Sequence, residues 1–190
     1  YDVVKVCMIK DIIIIDDVLP KTYADEIEAT LFSQAFPWFY ADDITYGSAT
    51  EVAEKTNGFS HVLNSDGRGS QFSSFIEPLY HIALDKANIV LSNPMVLQSR
   101  CFMQMPQVTK RLHNNKHIDA TVPHLVVLYY VTDSDGDTFM FDGVDVIKTV
   151  TPKKNRVVIF NGSTYHASGT PAVSKRCIIN FNIVGGYNGN

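Results

Sequence analysis

His117 and Asp119 stand two residues apart in Asn115-Lys116-His117-Ile118-Asp119, a spacing that puts both side chains on one face of an extended strand. There an imidazole nitrogen and a carboxylate oxygen can reach one cation, with Ile118 turned the opposite way. Such a pair arises by chance in roughly one chain of this size in five, so it needs a third ligand. His166 offers one. It follows Phe160-Asn161-Gly162-Ser163-Thr164-Tyr165, where an apolar strand gives way to a turn and a new strand begins, and a sheet sandwich would set it opposite His117. Two imidazoles and one carboxylate on one face suit non-haem Fe(II), because three coordination positions stay open. A zinc hydrolase would use the same ligands.

Arg176 lies ten positions beyond His166 and opens the apolar run Cys177-Ile178-Ile179-Asn180-Phe181-Asn182-Ile183-Val184. Taken alone it reads as a strand-edge cation in water. Beside a metal triad it reads as a buried guanidinium, suited to hold a dicarboxylate by a bidentate, charge-assisted clasp. The other histidines, His61, His81, His113 and His124, carry no ligand spacing and read as surface or packing residues. Lys110, Arg111 and Lys116 read as a solvated loop face, or a greeting for an anionic substrate. Trp38, with Phe36, Phe39 and Tyr40, reads as a core or lid cluster.

These groups need elements to position them. Residues 3–15 alternate and then run apolar as a strand, with no run long enough for a membrane span. Pro20 opens a helix whose Tyr23, Ile27 and Leu31 form one stripe, and Phe72 to Ala87 follow helical spacing with Pro78 as a kink or first-turn residue. Asn64 to Ser70 are turn-forming. From about residue 94 short β-rich runs take over: 95–105, 125–132, 138–141, 144–150, 156–160 and 176–184. The expectation is one domain over 1–190, mainly β with supporting helices: helical support over about 1–93 and a jelly-roll core over about 94–185.

The 190 residues, 45% hydrophobic and 19% charged, form a globular composition. A net charge of −4 disfavours nucleic acid as partner. Three widely spaced cysteines, Cys7, Cys101 and Cys177, support neither a disulfide framework nor a zinc finger, and a reducing cytoplasm fits them. The oligomeric state is not legible.

The order H-x-D, His, then Arg resembles the Fe(II)- and 2-oxoglutarate-dependent dioxygenases, and more closely their prolyl 4-hydroxylase-like branch, over roughly residues 95–185. Leu128-Tyr129-Tyr130-Val131-Thr132 with Asp135-Gly136-Asp137-Thr138-Phe139-Met140-Phe141 is similar to the family's tyrosine-bearing strand and Gly-Gly-x-Thr-x-Phe strand, Asp137 replacing one Gly. Thr151-Pro152-Lys153-Lys154-Asn155-Arg156-Val157-Val158-Ile159-Phe160 is similar to the approach to the distal His, with Asn155 where Gly is commoner. Asn tolerates the same left-handed turn.

The resemblance implies a double-stranded β-helix (cupin-like) core, with His117, Asp119 and His166 as iron ligands and Arg176 on the far carboxylate of 2-oxoglutarate. By its place in the Tyr-Tyr pair Tyr130 matches a second contact to that carboxylate. Asn180, on the pocket-facing parity of the last strand with Arg176, Ile178 and Asn182, is placed to touch cosubstrate or substrate. The implied activity is hydroxylation of an unactivated C–H bond with dioxygen, on a small-molecule or peptidyl substrate such as a prolyl side chain, with ascorbate as a further cofactor. A non-catalytic jelly-roll binding or sensor protein is the alternative.

Overall fold

The computed structural model describes residues 9, 11–44, 55–109 and 111–187. In chain order these form β1 (Ile13–Ile15), α1 (Lys21–Leu31), β2 (Phe39–Ala41), β3 (Gly58–Ser65), β4 (Arg68–Gly69), α2 (Ser73–Ile76), α3 (Pro78–Lys86) and β5 (Leu91–Gln104). There follow β6 (Leu125–Tyr130), β7 (Thr138–Asp142), β8 (Asp145–Val150), β9 (Arg156–Asn161), β10 (Tyr165–Ser168) and β11 (Arg176–Tyr187). The large sheet runs β1-β9-β6-β11-β5-β3-β2, with β4 paired to β3, and the small one runs β10-β7-β8.

Side-chain parity on the central strands decides the layers. On β6, Leu125, Val127 and Tyr129 face the helices and join Ile27, Leu31, Leu79 and Phe181 in the larger core. Val126, Leu128 and Tyr130 face the small sheet and pack with Met140, Val158, Phe160 and Ile178. A strand buried on both faces explains why Leu125–Tyr130 reads as a continuous apolar run. On β11 the same rule sends Cys177, Ile179, Phe181 and Ile183 to the helices. It sends Arg176, Ile178, Asn180 and Asn182 into the cavity between the sheets.

The N-terminal region departs from its expected helical character. β3 pairs with β5 and β2 with β3, so the supposed support supplies strands to the main sheet, and β5 begins at Leu91. Short strands flanked by polar residues carry little periodic signal, which hid them. The helix expected over 72–87 is two helices, because Pro78 has no N–H to continue α2 and instead starts α3. Residues 3–8 and 10 of the first expected strand, Cys7 and Lys110 lie outside the described residues. Among the described residues no helix is long and apolar enough to cross a membrane.

Asn155 ties the helical layer to the sheet. It adopts φ 64, the left-handed conformation expected of it. From there its amide accepts from Leu19 N and donates to Leu19 O, both at 2.9 Å. Nearby, Lys154 Nζ reaches Asp25 Oδ1 at 2.6 Å and Glu28 Oε2 at 2.5 Å on α1. The strand preceding α1 is pinned by Asp16, which accepts from Arg156 Nε at 2.6 Å and Lys153 Nζ at 3.0 Å.

Candidate functional site

The path between β5 and β6 is irregular, and His117 is not on a regular strand. It forms an isolated antiparallel bridge to His166 on β10, with His117 N to His166 O at 2.9 Å and the reverse bond at 3.0 Å. Asp119 lies in a bend just beyond. The expected strand is therefore absent, yet the bridge achieves the same result by placing the two imidazoles side by side, ring centroids 4.7 Å apart.

The two imidazole Nε2 atoms each lie 3.6 Å from Asp119 Oδ1. One ligand atom from each of the three residues falls within 4.8 Å of the others, a cluster able to hold a metal ion. Both Nδ1 atoms are occupied by local carbonyls, His117 by Asn115 O and His166 by Thr164 O at 3.1 Å each. That pairing fixes each ring as an Nδ1–H donor and leaves the Nε2 lone pairs turned inward, the tautomer a metal needs. Burial acts to raise the Asp119 pKa, but the neighbouring His117 and His166 imidazoles outweigh it and hold the carboxyl well below the usual range. For His117 burial acts downward and the Asp119 carboxylate lifts the net value.

Arg176 lies on the same cavity, 3% exposed. Nε donates to Gly136 O at 2.9 Å, Nη1 to Gln104 Oε1 at 3.2 Å and Nη2 to Thr138 Oγ1 at 2.9 Å. A side chain at Gly136 would meet the Arg176 Cδ at 3.1 Å, so glycine lets the guanidinium settle against that carbonyl. These partners are all neutral, and no described carboxylate lies within ion-pair distance of the guanidinium. Burial accordingly pulls its pKa below the usual arginine value. Two of its five N–H groups remain, one on each Nη, which is the fork a carboxylate requires. The exposed strand-edge reading of Arg176 is thus overturned.

Tyr130 and Asn180 both have protein partners. The Tyr130 hydroxyl donates to Thr138 Oγ1 at 2.7 Å, deep in the core, and burial raises its pKa. It supports the Thr138–Arg176 contact and does not itself border the cavity. Asn180 does border it, but its Nδ2 donates to Asp119 Oδ2 at 2.8 Å, so its partner is the carboxylate of the triad. Two residues went unread. Thr138, inside a quoted motif, and Gln104, on the inward parity of β5, both hold Arg176 and line the cavity. Of the remaining histidines, His61 packs among Phe36 and Phe72 and His124 under Gly162, both buried as packing residues. Phe36 is in the core and Trp38 packs on it, whereas Phe39 and Tyr40 are exposed.

No family model matches the chain and no curated protein matches it in sequence. Solved structures do match its shape. An oxidoreductase of the 2OG-Fe(II) oxygenase family from Burkholderia pseudomallei aligns with a TM-score of 0.70 at 11% identity, over 92% of this chain and 87% of that one. The fold is that of the 2OG-Fe(II) oxygenases. A prolyl hydroxylase of Trichoplax adhaerens, in complex with a hypoxia inducible factor oxygen degradation domain peptide, shares it with a TM-score of 0.62 and 15% identity, covering 92% of this chain and 83% of its own. HygX from Streptomyces hygroscopicus, with nickel, 2-oxoglutarate and hygromycin B bound, shares it with a TM-score of 0.60 and 10% identity, covering 92% and 82%. The jelly-roll core implied by the sequence is therefore present, built from two antiparallel sheets around the cavity that holds the triad and Arg176.

Proposed function

We propose that the chain is an Fe(II)- and 2-oxoglutarate-dependent oxygenase that hydroxylates a C–H bond of a small-molecule or peptidyl substrate. His117, Asp119 and His166 would hold the metal and Arg176 the distal carboxylate of the cosubstrate. The donor set fits: two imidazoles whose Nδ1 atoms are held by backbone carbonyls and one carboxylate leave three positions open. When bound, iron and 2-oxoglutarate supply the oxidising chemistry, in which the cosubstrate is decarboxylated to succinate as dioxygen is consumed.

The observation that carries the reading is Arg176, a buried cation on the cavity that contains the triad, with no described carboxylate within ion-pair distance of its guanidinium. An uncompensated buried charge costs several kcal/mol, and a dianionic ligand offsets that cost. Thr138 accepts from Tyr130 and from Arg176, which leaves its own hydroxyl proton as a further donor on the cavity wall. Ile178, Phe102 and Leu128 line the same cavity and give the methylenes of a diacid an apolar surface. Along β11, Arg176 and the Asp119 partner Asn180 are four residues apart, roughly 13 Å of strand, room for an arginine side chain and a short diacid. The neighbours solved with a peptide fragment and with hygromycin B support a peptidyl and a small-molecule substrate alike.

Anaerobic addition of Fe(II) and 2-oxoglutarate tests this. The expected result is the visible charge-transfer band of a metal-chelated keto acid, absent from Asp119→Ala, together with succinate formation once air is admitted. No band with the unaltered chain, or an equal band with the variant, sinks the assignment.

A further inference from the structure

Asparagine is out of place in the middle of Cys177-Ile178-Ile179-Asn180-Phe181, and the contacts of Asn180 show what it does there. A carboxylate only accepts hydrogen bonds, so the Asn180 atom facing Asp119 Oδ2 at 2.8 Å must be the NH2 group. That fixes the amide's orientation and leaves Asn180 Oδ1 buried with no partner. The same NH2 also approaches Asn182 Oδ1 at 3.4 Å, a much weaker contact. An orphaned acceptor is unfavourable, and the bond to Asp119 is what the residue gains in exchange. The two carboxylate oxygens are thereby made unequal: Oδ2 is held by Asn180, while Oδ1 stands 3.6 Å from both imidazole Nε2 atoms.

We propose that Asn180 is a positioning residue that sets the coordination mode of Asp119, reserving Oδ1 alone for the metal and keeping Oδ2 out of the coordination sphere. This rests on the metal-site reading above. Its importance lies in counting positions. A carboxylate that turned to bind through both oxygens would take one of the three sites left open by two histidines and one oxygen. Asn180 sits on β11, hydrogen-bonded on both sides to β5 and β6, so its donor is presented from a strand paired on both edges, while Asp119 lies in an irregular segment. The rigid element thus orients the ligand on the less regular one.

Cobalt(II) serves as a spectroscopic probe, read by titration and by its visible d–d bands, without turnover. Asn180→Leu keeps the shape and removes the donor; Asn180→Ala is the second variant should the first fail to fold, as judged by thermal unfolding of the metal-free protein. The expected result is cobalt affinity lowered about 10- to 100-fold, with band positions and intensity altered, and Asn180→Gln recovering neither fully. Variants that bind cobalt with unchanged affinity and spectrum overturn the role of Asn180 while leaving the metal site intact. An unaltered chain that binds no cobalt overturns the metal site itself, and this inference with it.

Discussion

Tyr130 and Arg176 meet on a single atom, Thr138 Oγ1, which takes a hydrogen bond from the phenol at 2.7 Å and from Nη2 at 2.9 Å. Thr138→Val keeps the volume and leaves both donors without an acceptor. Stability should fall by about 2 kcal/mol and 2-oxoglutarate affinity by about tenfold, read by denaturant unfolding and anaerobic calorimetry. Tyr130→Phe removes only one donor and should cost about 1 kcal/mol with a smaller change in affinity; a larger effect on binding than that of Thr138→Val would restore Tyr130 to a direct contact.

Arg176→Lys preserves charge and loses the fork. Binding of 2-oxoglutarate should weaken about tenfold, and Arg176→Leu should weaken it by about 100-fold or more, the usual scale for deleting one member of a buried charge pair. Equal affinity in all three proteins would show that the anion binds elsewhere.

A metal ion that binds only the folded chain raises its stability by mass action, about 2.7 kcal/mol at a hundred times Kd. Manganese or cobalt should therefore raise the Tm of the unaltered protein and leave that of His166→Ala unmoved, since the variant lacks a proposed ligand but keeps the backbone bridge to His117. A shared shift would place the ion at another site.

Asp16 has its pKa lowered to about 2, first by the Arg156 hydrogen bond and further by Lys153. Its unfolded value is about 3.9, so the pairing contributes fully above about pH 4 and is lost as pH falls through about 2. Because the pair is partly exposed, screening limits its worth to about 1 kcal/mol or less. Asp16→Asn should trail the unaltered chain by that amount at neutral pH in low salt, and the gap should close in acid. A gap independent of pH would mean packing, not charge, pins β1.

Asn155→Gly installs the residue commoner at this turn and relieves a positive φ, worth about 0.5–1 kcal/mol. It also deletes two buried hydrogen bonds to Leu19, worth more together. A net loss of about 1 kcal/mol is expected in denaturant unfolding, and a gain would show that Leu19 finds other partners.

Much of the site was legible because its chemistry is written in residue type and parity. The alternation on β6 and β11 assigned inward and outward faces correctly, from Val126 to Tyr130 and from Arg176 to Asn182. Asn155 announced its turn through its tolerance of φ above zero. What stayed hidden depends on contacts distant along the chain. Nothing near Asn180 in sequence says that Asp119 is its partner, and Gln104 meets Arg176 only because β5 and β11 pair in that register. β2 and β3 were missed for a related reason: their pairing is settled by β5, and their own residues, Ser60, His61 and Asn64 among them, carry little strand character.

The bridge between His117 and His166 has a consequence for the lifetime of the molecule. Among its described residues the stretch from β5 to β6 makes no other strand bridge, so a cation shared by these two residues and Asp119 would act as a rivet across it. Proteases cut backbone that can be drawn out of its ladder. Copies starved of metal would be nicked in that stretch first, and cellular abundance would follow the supply of the ion as much as the rate of synthesis.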